Sequence, residues 1–158
     1  SYNENTFFFF VVTMHFVQDN QAKSSYGVIR GLHYQFAPYA QTKLIRALSG
    51  SILDVAVDIR VGSPTYGKVF TIELSADNKK QLLVPKGFAH GYSVLSETAE
   101  VIYKCDAFYH KESEGGIFYN DPELAIDWMI PADKANVADK DKQHPTFKNC
   151  INNFVYGA

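Results

Sequence analysis

Between Gly27 and Phe108 the chain is a succession of short apolar runs broken by turn residues. The runs are Gly27–Gln35, Lys43–Ser49, Ser51–Arg60, Lys68–Ser75, Gln81–Val84, Phe88–Leu95 and Glu100–Phe108. Ser63-Pro64-Thr65-Tyr66-Gly67, Ala76-Asp77-Asn78, Pro85-Lys86-Gly87 and Ser96-Glu97 punctuate them. Strands at this spacing, with no helical segment between them, predict an antiparallel sandwich or barrel. An aromatic content of 15% points the same way, since aromatic side chains favour strands. Within Leu53–Ile59, alternation puts Leu53, Val55, Val57 and Ile59 on one face and Asp54 and Asp58 on the other, which predicts a half-buried strand.

A length of 158 residues suits one domain, and 46% hydrophobic with 20% charged residues is a globular composition. Fifteen Lys and Arg against seventeen Asp and Glu give a net charge of −2, which argues against a nucleic-acid binder working through an overall basic surface. The two cysteines, Cys105 and Cys150, are too few for a disulfide scaffold and show no zinc spacing, so a reduced, cytoplasmic setting is expected. The longest apolar run, Phe7–Val12, is too short to span a bilayer and has no basic region before it, so neither a membrane span nor a signal peptide is expected. That run has neither helical nor strand periodicity and could be a buried element or an interface segment. After Phe108 the pattern loosens through Glu114-Gly115-Gly116, Asn120-Asp121-Pro122, Pro131-Ala132-Asp133 and His144-Pro145. Lys134–Lys142 is polar and has room for a helical turn.

Chemistry-bearing residues are sparse. His33 sits within Arg30-Gly31-Leu32-His33-Tyr34-Gln35, and His90 within Phe88-Ala89-His90-Gly91-Tyr92. His110 and His144 lie in polar loops and read as solvated, and His15 has no clear role. A lone strand histidine is more often a satisfied imidazole than a catalyst. The chain contains no His-x-His pair and no carboxylate closely following His33, so the spacing disfavours a metal site. Lys43 opens an apolar strand: it is either a solvated edge residue or, if it points into a pocket, a group that stabilises an oxyanion. Tyr103, between Ile102 and Lys104, is either a core tyrosine or a proton donor. Strict alternation would put Arg30 and His33 on opposite faces, but a bulge at Gly31 would re-aim one of them.

Several ordered segments together resemble the dTDP-4-dehydrorhamnose 3,5-epimerase family. They are Phe16-Val17-Gln18-Asp19-Asn20, Gly27–Gln35, Asp54–Arg60, Ser63–Gly67, Pro85–Gly91, Tyr103-Lys104, Asn120-Asp121-Pro122, Ile126-Asp127-Trp128 and Asp139-Lys140-Asp141. The resemblance covers Phe16 to about Lys148. It implies an all-β, cupin-like jelly roll with short C-terminal helical and loop segments, forming a single epimerase domain over residues 1–158. It further implies a homodimer that uses no metal or organic cofactor and acts on a nucleotide-linked 4-keto-6-deoxyhexose bound for L-rhamnose and surface polysaccharide.

Carried over residue by residue, the family's base falls on His33 and the carboxylate orienting it on Asp141. The acid serving the opposite sugar face falls on Tyr103, and the lysine near the ketone oxygen on Lys43. His90 and Tyr109 match further pocket positions, while Arg30, Gln18, Asn20 and Lys140 match positions that hold the sugar or the diphosphate. The expected activity is inversion at C3 and C5 of dTDP-4-keto-6-deoxy-D-glucose. The alternatives are a single-site epimerase and a non-catalytic nucleotide-sugar binding module. The family's N-terminal Arg-Gly-aromatic-aromatic-x-Glu segment has no counterpart here, so an N-terminus shortened relative to the family is expected.

Overall fold

The computed structural model describes residues 14–157, so the Phe7–Val12 run and the expectation about a shortened N-terminus lie outside the described residues. Eight strands come first: β1 (Gln18–Ser25), β2 (Val28–Gln35), β3 (Lys43–Ser49), β4 (Ser51–Asp58), β5 (Val69–Ser75), β6 (Gln81–Val84), β7 (Phe88–Val94) and β8 (Thr98–Cys105). The shorter β9 (Glu114–Gly116) and β10 (Asn136–Val137) follow, and then the one-turn helix α1 (Asp139–Lys142). A four-stranded sheet has the order β1-β8-β3-β6, and a six-stranded sheet runs β10-β2-β7-β4-β5 with β9 also on β2. The architecture is the antiparallel β-structure that the sequence predicts, in the cupin jelly-roll form that the family resemblance implies, with the helical turn in the expected polar segment. Among the described residues no helix is long and apolar enough to cross a membrane.

Two clusters make the core. Ile45, Ile52, Ala56, Leu74, Val84, Tyr92, Val94, Ala99 and Val101 come from strands of both sheets and pack together. In the second cluster, Leu53, Val55, Val57 and Ile59 pack with Ile117, Leu124, Trp128, Val137 and Phe147. The loosely patterned C-terminal stretch therefore covers one face of the larger sheet. Asp121 anchors it by accepting backbone N–H bonds from Glu123, Leu124 and Phe147.

The half-buried reading of β4 is corrected: the C-terminal stretch covers the Leu53 face, and the opposite face turns inward toward the smaller sheet, with Asp54 at 0% and Asp58 at 1% exposure. Carboxylates so placed need partners. Asp58 accepts from Arg60, Ser63 and Thr65, which together hold its carboxyl far below the usual range despite burial. Asp54 pairs with His90.

Trp128 fixes the cover to the sheet. It is buried, its indole N–H donates to the Tyr119 carbonyl, and its own carbonyl accepts from Ser93 Oγ. Truncation to alanine leaves a large void, so Trp128→Ala is expected to cost about 3–5 kcal/mol in a urea melt. A loss below about 1 kcal/mol would mean that the C-terminal cover is not part of the cooperative core.

Candidate active site

The site is built around an irregularity in β2. β10 pairs with Val28 and Ile29, and β9 pairs with His33, Tyr34 and Gln35. Between them the ladder of β2 against β7 shifts register from Arg30 to His33. That is the bulge expected at Gly31. Gly31 has a φ of +123°, and a Cβ there would lie 2.6 Å from the Cα of Gly91 on β7, so only glycine fits. In the gap between β9 and β10, the Gly31 N–H donates to Asp141 Oδ2 at 3.0 Å. Asp141 Oδ1 meets His33 Nε2 at 2.7 Å. One bulge therefore re-aims His33 and docks its carboxylate partner.

Asp141 sits on α1 with its side chain only 5% exposed, against 30% for His33. Burial pushes the Asp141 carboxyl up, but the His33 and Gly31 hydrogen bonds and the neighbouring imidazoles bring it below the ordinary carboxylate range. The group stays ionised at neutral pH. Because Nε2 faces Asp141, Nδ1 is the His33 nitrogen left to accept a proton.

His33 lines a cavity of about 270 Å³ with Gln18, Asn20, Lys43, Tyr103, Tyr109 and Glu114. Lys43 and Tyr103 come from β3 and β8 of the smaller sheet, so they approach from the sheet opposite His33. The Lys43 ammonium lies 6.0 Å from the centre of the Tyr103 ring. Lys43 lines the cavity and is not a solvated edge residue. Burial lowers its proton affinity, while Cys105, Asp54 and Glu114 oppose the shift. Burial likewise raises the Tyr103 phenol above its ordinary value, helped by Cys105 and Tyr92 and opposed by Arg30, so it stays protonated at neutral pH.

The other sequence candidates are distributed around this centre. Gln18 and Asn20 project from β1 and bond to each other, and Gln18 Oε1 also accepts the Tyr109 N–H. The Tyr109 hydroxyl and the Lys140 ammonium both donate to Glu114 Oε2. His90 lies opposite His33 on β7, in a smaller recess that His33 and Lys43 also line, and meets Asp54 Oδ1 at 2.8 Å. Arg30 does not line the main cavity and instead donates to Ser24 Oγ at 3.3 Å.

Two histidine readings are corrected. His110 is stacked on Tyr39 at 3.7 Å and bonded to Ser113, not simply solvated. His144 is largely buried and packs edge-on to the His33 ring at 5.6 Å. Glu114 was not singled out by the sequence, although it lines the cavity and joins Lys140 to Tyr109. An acidic residue opening Glu114-Gly115-Gly116 carried no signal beyond a turn.

His33, Asp141 and His144 are the described residues that come nearest to a metal-binding group, with ligand atoms within 4.8 Å of one another. Two ligands on one tetrahedral zinc, with bonds of about 2.0–2.1 Å, sit about 3.3 Å apart. The 2.7 Å between His33 and Asp141 fits a shared proton better than a shared ion.

Residues 1–149 match the family model of dTDP-4-dehydrorhamnose 3,5-epimerase. The chain is 54% identical over 126 residues to the dTDP-4-dehydrorhamnose 3,5-epimerase of Shigella flexneri, covering 80% of this chain and 68% of that protein. It is 57% identical over 113 residues to that of Escherichia coli (strain K12), covering 72% of this chain and 61% of that protein. The chain thus spans about two thirds of the length of these relatives. The structure also superposes on a crystal structure from Legionella pneumophila, a dTDP-6-deoxy-D-glucose-3,5-epimerase in complex with dTDP-4-keto-L-rhamnose. There the TM-score is 0.89 and the identity 45%, with 94% of this chain and 79% of that one covered.

Proposed function

The chain belongs to the dTDP-4-dehydrorhamnose 3,5-epimerase family, a family of isomerases, and from that premise we propose that it inverts C3 and C5 of dTDP-4-keto-6-deoxy-D-glucose to give dTDP-4-keto-L-rhamnose. The observation that carries this reading is the division of labour across one cavity. A histidine–carboxylate pair stands on one wall, and a lysine and a protonated tyrosine stand on the other.

The substrate chemistry asks for this arrangement. C3 and C5 both flank the C4 ketone, so their protons are weakly acidic. His33 Nδ1 takes such a proton, and the resulting imidazolium is held by the ionised Asp141 through Nε2–H. The electron pair moves to the C4 oxygen as an enolate. Lys43 stabilises that oxygen, and the new anion beside it favours the charged form of an ammonium that burial had weakened. Tyr103 then delivers its phenolic proton to the opposite face of the carbanionic carbon, which inverts the centre. Once solvent has taken the proton from His33 and returned one to Tyr103, repetition at the second carbon completes the reaction.

The remaining candidates, in the cavity and around it, serve binding. Gln18, Asn20, His90 and Tyr109 contact the sugar side, and Arg30 and Lys140 supply positive charge for the diphosphate. Lys140 is held by Glu114, whose place a phosphate oxygen would take on binding. The reading includes a homodimer, checked by light scattering, and no metal or organic cofactor in the reaction.

The test is proton NMR of dTDP-4-keto-6-deoxy-D-glucose incubated with the purified chain. The reading expects the ring couplings of the L-rhamno product to appear. Inversion at only one carbon would reassign the chain to single-site epimerases, and tight binding without conversion would make it a nucleotide-sugar binding module.

A further inference from the structure

A single hydrogen bond does not fix an imidazole. The torsion that turns the His33 ring is broad and two-fold, and among the described residues the ring is hydrogen-bonded at Nε2 alone. A base must nevertheless present its free nitrogen within a few tenths of an ångström of the reacting proton, so something else must hold the ring.

His33 and Gly116 are cross-strand partners on β2 and β9. Gly116 has no Cβ, and one built there would lie 2.5 Å from the His144 ring. The His144 imidazole therefore fills the space beside His33 that a side chain at position 116 would otherwise take. Its ring meets that of His33 at a centroid distance of 5.6 Å and an interplanar angle of 75°. The backbone on either side is tied down. Asp141 lies three residues earlier on α1, the Phe118 N–H donates to the Pro145 carbonyl, and the Phe147 N–H donates to Asp121. His144 is 14% exposed, and its Nε2 is buried without a hydrogen-bond partner among the described residues, 3.6 Å from the Asp141 oxygen that His33 engages. An unpartnered buried polar atom costs about 1–3 kcal/mol, so a ring kept there at that cost invites a functional reason.

We propose that His144 is a positioning residue for the His33–Asp141 pair, a neutral ring wedged between Gly116 and His33 that holds the His33 imidazole in the orientation presented to the cavity. This rests on the reading of His33 as the base. Neutrality matters because a charged ring here would repel protonated His33 and compete for Asp141. The groups facing His144 are His33 on β2, Asp141 and Lys140 on α1, and Glu114 on β9. Burial, followed by His33, keeps its proton affinity below that of an ordinary histidine.

The experiment compares wild type with His144→Ala, His144→Phe and Gly116→Ala, reading kcat, KM and the His33 tautomer by nitrogen-15 NMR without substrate. His144→Ala frees the His33 ring. It is expected to lower kcat about 10- to 100-fold with KM changed by less than about 3-fold, and to turn one Nε2–H tautomer into a mixture. His144→Phe restores the wedge and is expected to keep kcat within about 3-fold of wild type, with one tautomer. Gly116→Ala displaces the His144 ring without removing it and should behave as His144→Ala does, which covers the case where the alanine variant does not fold. Wild-type kcat and a single tautomer in the variant that frees the ring would overturn the proposal, as would a phenylalanine variant as impaired as alanine. The tautomer readout needs no substrate. If wild type fails to epimerise while the tautomers respond as described, the proposed function fails and the positioning role stands.

Discussion

Replacing His33 with asparagine is expected to lower kcat by about 10²–10⁴-fold, the usual contribution of a positioned general base. The substitution is chosen to isolate the proton-transfer step. Asparagine is shorter than histidine, so cavity water can fill the gap to Asp141, and the carboxylate keeps its bond from the Gly31 N–H. His33 is partly exposed to the cavity, so no core apolar contact is lost and the melting temperature should move little. The amide cannot accept the substrate proton, and solvent exchange at C3 and C5 should disappear together with product formation. Steady-state kinetics and a thermal melt on the same preparation check this. A variant that retains more than about a tenth of wild-type kcat would remove His33 from the role of base.

Tyr103→Phe should have a different signature. The phenol is the donor on the wall opposite His33, and its raised proton affinity keeps the proton available across neutral pH. The phenylalanine ring keeps the packing against Ile45, Tyr92 and the rest of the inner cluster, so the fold is retained. Proton removal by His33 does not need the phenol, whereas inversion does. The expected result is a loss of about 10²-fold or more in product formation with little change in KM, while deuterium from solvent still enters the unepimerised sugar. Exchange without inversion is the diagnostic outcome. If exchange and inversion fall together, Tyr103 acts before or during proton abstraction. If neither falls, the second proton comes from another group, with Tyr109 in the same cavity as the next candidate.

The strands from β2 to β8 were legible because their apolar runs are short and cleanly separated by Pro, Gly and Asp-Asn turns. β1 was not read as a strand, because Gln18–Ser25 carries no apolar alternation. Its inward residues Gln18 and Asn20 face a cavity, not a packed core, and an edge strand of that kind has no hydrophobic period to show. The burial of Asp54 and Asp58 was hidden for a related reason. The smaller sheet that seals this face of β4, and the His90 that pairs with Asp54, come from sequence-distant segments that local alternation cannot register, while Asp58 finds its partners nearby in Arg60, Ser63 and Thr65. At the site, residue patterns alone left His33 an ordinary strand histidine, and its link to Asp141 entered only through the family resemblance. His144 was misread because a polar loop reads as solvated until its return onto β2 and β9 is known.

The central claim is that a base on one sheet and an acid on the other act on the two carbons beside a ketone. It is tested most directly by incubating dTDP-4-keto-6-deoxy-D-glucose with the chain in deuterated water and following C3 and C5 by proton NMR. The account predicts loss of both proton signals, with deuterium in a product whose two centres are inverted. Intact proton signals at both carbons, with the protein folded and the nucleotide sugar bound, would contradict it.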